Sequence, residues 1–366
     1  MTQMYENQTE NIILNRMLEK VPNDIDKREG SIIYDASIPA AIEFMLLYAT
    51  VDYFIKNTFG DTAEREFLIL RAKERGLAPY PATYAIVKGE CTPNNINISV
   101  GTRFSYDDVN YSITESLGNG QYLLKCETIG IIGNKPSGKL VPIDYVKGLE
   151  FAQLLEVTIP GEEEETTEDF RTRYLNSFEN QAYGGNIIDY KEKVNAIEGV
   201  GGVKVYPVWN GGGTVKIVFM TSEYKPPTAE FIKQVQTKID PEQNKGEGLG
   251  IAPIGHIVTV EGAKNSAIKI DLNITFNNGS FIDYKTKIEK VIDDYFLELN
   301  SKWQDTQVVT MERYENKGII VRISQIESRL LDLKGVTDVE HTKLNDLEEN
   351  LTLDINALAV RGELSG

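Results

Sequence analysis

After a Gly30-Ser31 break, apolar and aromatic residues recur at Ile38, Ile42, Met45 and Ala49, and again at Phe44, Tyr48, Val51 and Ile55. At 3.6 residues per turn, the two series make at least half the circumference of a helix over 36–57 apolar. Such a helix must be covered. The run 38–51, interrupted by Pro39, Glu43 and Thr50, is shorter than the roughly 20 residues of a bilayer span, so the expectation is a buried helix and no membrane anchor. A second helix is expected over 61–75, with Asp61 as N-cap, Glu64 in capping-box position, Ala63, Phe67 and Leu70 on one face, and Gly76 as its stop. These helices offer more docking surface than chemistry. Phe44, Met45, Tyr48, Val51, Ile55 and Phe67 are the partner-binding candidates among them.

A chain of 366 residues exceeds one typical core, so two to four domains are expected. Its formal charge of -17 opposes a general phosphate-binding surface, which argues against direct nucleic-acid contact. Cys91 and Cys126 read as buried thiols of a protein folded in a reducing compartment. The first residues lack the basic then apolar order of a secretory signal; a role at a cell envelope would therefore be reached within a larger particle.

The expected fold class is α+β and multidomain: a helical N-terminal region (1–83), a small β domain (84–160) and two related split α/β domains (161–265 and 266–366). A first helix over 8–21 places Ile13, Met17 and Val21 on one face and ends at Pro22. From Tyr84 the period changes to short alternating runs with Asn-Asn, Asp-Asp and Asn-Gly turns, with Ile96 and Ile98 inward on one strand and Tyr122 and Leu124 on another. The segment from Gly130 to Lys135 lacks the Walker spacing, and Pro136 stands where a hydroxyl residue would follow the lysine, so its glycines are turn residues. Glu162–Glu165 read as a solvated linker, followed by a helix opened by Thr166 and Asp169 and carrying Phe170, Tyr174 and Phe178.

Asn186 caps the next helix (Ile187, Tyr190, Val194, Ile197), which stops at Gly199. Strands over 203–208 and 214–219, a helix over 228–239 and a strand over 256–260 complete the first α/β unit. The second begins with a strand over 267–276 and a helix over 283–299. Residues 324–339 then repeat the helix, Gly-Val, strand cadence of 190–203, and Leu351–Ile355 match the alternation of Val215–Phe219.

Chemistry is sparse. His256 and His341 are structural or surface histidines unless they converge with carboxylates across two domains, and Gly30-Ser31 lacks the strand-turn-helix frame of a nucleophile elbow. Tyr206 and Trp209, beside Pro207, are the further binding candidates, because aromatics give large contact area at low ordering cost. No catalytic, metal-binding or cofactor-binding residues are assigned.

Several motifs together resemble the baseplate J-like family, the wedge proteins of contractile phage tails and phage-tail-like bacteriocins. They are Arg28-Glu29-Gly30-Ser31; Asp61, Thr62, Ala63, Glu66, Leu68 and Gly76; Ile98, Gly101, Thr102 and Phe104; and Gly130, Gly133 and Asn134. Further along stand Glu165, Thr167, Glu168, Asp169, Phe170, Arg171 and Arg173; then Gly184, Gly185, Asn186, Tyr190, Gly199, Val200 and Val203; and the tail Leu351–Gly362. Where the family often has Arg after the glycine at 76, this chain reads Leu77-Ala78-Pro79-Tyr80. The resemblance implies a structural wedge protein without cofactors, made in the bacterial cytoplasm and carried into a baseplate. It further implies partners: a second copy through the helical portion, a smaller wedge subunit, neighbouring wedges in a ring, and the central hub. A change in wedge geometry would trigger sheath contraction. Two rivals are a tail-associated glycoside hydrolase, which needs two buried carboxylates facing across a cleft, and a receptor- or carbohydrate-binding module, which needs an exposed aromatic groove.

Overall fold

Helix α1 (Glu10–Glu19), helix α2 (Ile32–Thr58) and helix α3 (Arg65–Lys73) stand with α4 (Thr167–Glu179) in one unit of the computed structural model, which describes residues 5–179, 184–310 and 313–366. Residues 81–164 and 181–366 form the other unit; Tyr183, which precedes the Gly184-Gly185-Asn186 motif, lies outside the described residues.

Ser31 caps α2 by accepting from the Tyr34 N–H at 3.4 Å, and the helix runs 27 residues. Helix α3 begins at Arg65 and not at Asp61, because the carboxamide of Asn57 reaches the Glu64 N–H at 2.8 Å and satisfies a free amide at that end. Its buried face is Leu68 and Ala72; of the expected face, Ala63 is buried, Phe67 half-buried and Leu70 exposed. Gly76 (φ +75°) lets the Leu77 N–H return to Ala72 O at 3.0 Å and stops the helix. Phe170 and Tyr174 of α4 pack on Ala63, Leu68 and Ala72. Arg171 donates to Gly60 O (2.5 Å) and Ala63 O (2.8 Å), fixing the turn between α2 and α3.

The acidic run is not a solvated linker. Glu162 accepts from the Gly199 N–H (3.2 Å), Glu163 from the Ile131 N–H (3.1 Å), and Glu165 is clamped by Arg173 (2.8 and 2.7 Å) while also accepting from the Tyr80 N–H (3.0 Å). Adjacent carboxylates repel, but turn amides and a guanidinium offer Glu162, Glu163 and Glu165 separate charge-stabilising partners.

Seven strands form the β region: β1 (Tyr84–Thr92), β2 (Arg103–Tyr106), β3 (Val109–Gly118), β4 (Gln121–Ile129), β5 (Gly138–Lys139), β6 (Val141–Pro142) and β7 (Phe151–Ile159). Their order is β5-β7-β1-β4-β3-β2-β6. The two outermost strands are separated in sequence by Leu140 alone, so the sheet curls round until its edges are neighbours, and Leu140 is buried in the core. Ile96 and Ile98 lie in the connection before β2 and not on a strand; the Tyr122 hydroxyl fastens that connection by donating to Ile96 O (2.7 Å) and accepting from the Ile98 N–H (3.2 Å). Cys91 and Cys126 are buried free thiols here, and burial pushes the Cys91 thiol up to about 11. Gly133 sits where a Cβ would lie 2.8 Å from both Ala85 Cβ and Cys126 Sγ, and its carbonyl accepts from Tyr111 (2.9 Å). Close packing, and no ligand, requires that glycine.

The first α/β module comprises α5 (Ile187–Asn195), β8 (Val200–Pro207), β9 (Thr214–Thr221), α6 (Ala229–Ile239) and β10 (Ile257–Gly262). The sheet order is β10-β9-β8, with β8 antiparallel and β10 parallel to β9. Both helices cover one face, where Val203, Val205, Ile217 and Phe219 meet Tyr190, Val194, Phe231 and Val235.

The second module comprises β11 (Lys264–Phe276), α7 (Phe281–Ser301), the short β12 (Gln307–Val309), β13 (Tyr314–Asn316) and β14 (Ile320–Val321), α8 (Ile323–Leu331), β15 (Val336–Leu344), β16 (Leu351–Thr352) and β17 (Ala357–Ser365). Its main sheet is β15-β11-β17. The helix, glycine, strand cadence recurs, with Gly199 (φ +84°) before β8 and Gly335 (φ +107°) before β15. The hairpin does not. Leu351–Thr352 pair with Ile320–Val321, and the place beside β15 that a hairpin partner would take is filled by β11, so the expected match of Leu351–Ile355 to Val215–Phe219 is overturned.

The tightness of the β core makes a specific prediction: Gly133→Ala lowers stability by about 1–3 kcal/mol through overpacking, read as a lower urea midpoint for the transition reported by the β-region tyrosines.

Candidate assembly surface

Helix α2 carries three apolar stripes at alternating spacings of three and four residues. The stripe of Tyr34, Ile38, Ala41, Met45 and Tyr48 packs against Ile13, Leu14 and Leu18 of α1. Tyr5 extends that contact: its N–H reaches the Asp52 carboxylate (3.0 and 3.2 Å) and its ring lies 5.1 Å from that of Tyr48, whose hydroxyl accepts from Arg16 (3.3 Å). Met45 and Tyr48 are therefore internal packing residues.

The other two stripes are open. Phe44, Leu47, Val51 and Phe54, with Ile55 beside them, form one, in which Val51 and Ile55 are half-buried; Ile42, Leu46, Ala49 and Tyr53 form the other. Phe44 is 47% exposed, Leu46 51%, Leu47 55% and Phe54 57%. The expected buried helix is instead largely exposed: only Ser37, Ala41 and Asn57 of its residues are fully buried, and by length and composition it is long enough to cross a membrane. The repeat spacing is that of a helix-packing seam. Phe67 of α3 is half-buried and meets Tyr53 edge-on at 5.8 Å, extending the second stripe. The Tyr53 hydroxyl donates to Glu64 (3.2 Å), and desolvation with that bond raises its pKa.

The remaining two candidates belong to the first α/β module. Tyr206 is half-buried, donates to Asn356 Oδ1 (2.5 Å), and has its pKa raised by burial, so it serves internal packing. Trp209 is 42% exposed at the hairpin tip, and Lys216 lies 5.5 Å from the Tyr206 ring centre and 5.1 Å from that of Trp209. Between these two residues in sequence, Val208 is held at φ +56°, an unfavourable conformation for a β-branched residue.

Polar chemistry is taken up by the backbone. Asp240 accepts from the N–H groups of Val258 (2.9 Å) and Gly246 (3.0 Å), and Asp189 from that of Gly185 (2.9 Å). His256 Nδ1 is 2.9 Å from the Tyr190 hydroxyl, whereas His341 faces Glu348 at 3.7 Å, so each histidine has its own partner. Among the described residues, no group of three or more His, Cys, Asp or Glu is placed to hold a metal ion.

Residues 182–262 match the baseplate J-like central domain, and residues 268–366 match the baseplate J-like protein C-terminal domain. Protein YqbT of Bacillus subtilis (strain 168) is 36% identical over 365 residues, 99% of this chain and 98% of its own. The phage-like element PBSX protein XkdT of the same organism is 36% identical over 353 residues, 96% and 95% of the two chains. The Mu-like prophage FluMu protein gp47 of Haemophilus influenzae is 26% identical over 210 residues, 54% of this chain and 59% of its own. A chain in the cryo-EM structure of the anti-feeding prophage baseplate aligns over 96% of this chain and 90% of its own, with TM-score 0.41 and 10% identity.

The two kinds of position on α2 respond differently to a charge. Met45→Glu buries a carboxylate against α1 and lowers the stability of the helical unit by about 2–4 kcal/mol, whereas Phe44→Glu changes it by less than about 1 kcal/mol. Urea unfolding followed by helical circular dichroism separates the two.

Proposed function

The chain belongs to the baseplate J-like family, with a structural role of the baseplate-wedge type in a contractile tail or tail-like particle, and from that premise we propose that α2 is the element through which it enters the wedge. The observation that carries this reading is the pair of bare apolar stripes on a helix whose third stripe is already covered. Two open stripes fit two neighbours: a second copy of this chain and a smaller wedge subunit. Burying the exposed part of each large side chain returns roughly 1 kcal/mol, a gross gain set against the ordering cost of association, so both stripes would have to contribute.

A bilayer is a poorer occupant. Glu43 and Asp52 lie on the helix, and the Asp52 carboxylate is tied to Tyr5, so insertion would carry charge and the segment before α1 into hydrocarbon. In this reading the division is of a helical wedge core up to residue 83, a β domain over 84–160 and two α/β domains beyond it. The α/β domains reach neighbouring wedges and the hub and rearrange when the sheath contracts. Trp209 is the ring-contact candidate, and the particle is assembled in the bacterial cytoplasm. Ring closure requires one surface to meet a different one on the neighbour.

Sedimentation of the full chain, alone and with a candidate small wedge subunit, tests the assignment. The expected result is association that Leu47→Glu combined with Phe54→Glu abolishes while helicity is unchanged. A wild-type chain that stays monomeric in both mixtures, or a double variant that associates as before, would sink it.

A further inference from the structure

Three sheet edges in the α/β modules end on carboxamides where another strand would otherwise pair. Along β10, Gln236 donates to Val258 O (3.1 Å) and accepts from the Val260 N–H (2.9 Å). Asn300 accepts from the N–H of Ala359 in β17 (2.8 Å) and donates to its carbonyl (3.0 Å). Gln307 treats Val205 of β8 the same way, at 3.0 and 2.9 Å, and Gln304 accepts from the Val203 N–H (3.3 Å). A side-chain amide offers one acceptor and one donor in the arrangement a neighbouring strand would offer.

The seals differ in origin. Gln236 lies on α6 of the module that owns β10, and Asn300 lies on α7 of the module that owns β17. The β8 seal comes from the other module, on the turn that Trp303 anchors in the second core. Lys204 lies in the same seam: it is fully buried, donates to Lys317 O (3.3 Å) and Ile355 O (2.5 Å), and its Nζ stands 4.5 Å from the Trp303 ring centre.

We propose that the β8 edge is a release seam between the two α/β modules, where Val203–Val205 part from the Trp303–Gln307 turn before either core opens. Val218 and Met220 of β9 pack into the second core, so the apolar contact between the modules persists while the β8 edge lets go. The inference is independent of what covers α2.

The seam is sensitive to protons. Burial, with the nearby positive charge of Lys191, lowers the Lys204 pKa to about 7, against a small opposing effect of Asp354. The other groups around it are Lys191 on α5, lowered by burial; Asp305 in the turn, raised by burial; Tyr206 on β8, raised by burial; Tyr314, whose hydroxyl donates to Val205 O; and Lys317, whose ammonium turns away to Glu315. A released Lys204 titrates near its ordinary 10.5. Between those values the open form binds a proton that the closed form lacks, so falling pH favours release down to about 7, where the effect saturates. Lys191 acts in the same direction. Asp305 acts oppositely, in the acid range above the ordinary carboxylate value.

Site-resolved hydrogen exchange on the full-length chain carrying both Leu47→Glu and Phe54→Glu tests this without interference from assembly. The expected result is exchange at Val203 and Val205 about tenfold faster than at Ile217 or Ile270, with the gap widening from pH 9.5 to 7 after correction for intrinsic rates. Lys204→Met should shrink the pH dependence to the part that Lys191 supplies, and Gln307→Met should speed Val205 further while α6 and α7 stay protected. Exchange of Val203 and Val205 only at the global unfolding rate of wild-type seams, or equal loss of protection in both cores of Gln307→Met, would overturn the proposal.

Discussion

Helix α2 is long, apolar on three sides, and served by one short neighbour. At 1.5 Å per residue, the ten residues of α1 span about 15 Å, whereas the 27 residues of α2 span about 40 Å. No rotation of α1 could cover more than one stripe. Helix α3 does not make up the difference: Asn57 and Arg171 fix it at the far end of α2, and its own apolar face, Leu68 and Ala72, turns to Phe170 and Tyr174 of α4. The helical unit is thus complete in its small cores and leaves apolar surface exposed along its longest element.

Charge follows a related economy of partners. The chain is strongly acidic, yet the densest acidic run serves local structure: Glu162 and Glu163 each accept from a backbone amide, and Glu165 is held by Arg173, which also stacks on the Tyr80 ring at 4.0 Å. The buried carboxylates Asp189 and Asp240 do the same inside the first α/β module. A hydrolase would need opposed carboxylates left available to substrate. Here the buried ones already accept backbone hydrogen bonds.

Local signals in the sequence were strong where the cause of structure is local. Asn186, Thr166 and Thr228 cap helices with their own side chains, and Gly76, Gly199 and Gly335 end them with positive φ, so these positions were readable from residue type; α2, capped by Ser31, starts before the expected residue 36, and the Glu64 amide at the start of α3 is held by Asn57 from another helix. Long-range choices were not readable. Nothing in the alternation of 351–355 says that β11, earlier in the chain, takes the position between β15 and β17. The assembly surface was half legible for the same reason: the apolar stripes are written in the spacing, but which one α1 occupies depends on tertiary packing, and that reassigns Met45 and Tyr48 inward while leaving Phe44, Leu47 and Phe54 outward. The buried Lys204 carried no sequence signal, since an isolated lysine in a strand ordinarily faces water.

The two halves of the molecule handle exposed bonding capacity in opposite ways, and the contrast bears on how a chain of this kind assembles. Sheet edges are indiscriminate, because any extended segment can pair with their free N–H and C=O groups. In the β region the outer strands are brought together by the one-residue step at Leu140, and in the α/β modules Gln236, Asn300 and Gln307 occupy edge positions of β10, β17 and β8. Helix stripes discriminate, since knobs must meet holes in register along several turns. With α2 bare and these edges closed, the association proposed above would select partners with a matching helical surface, and the β8 seal stands apart from the other two edges because it is held by the neighbouring module.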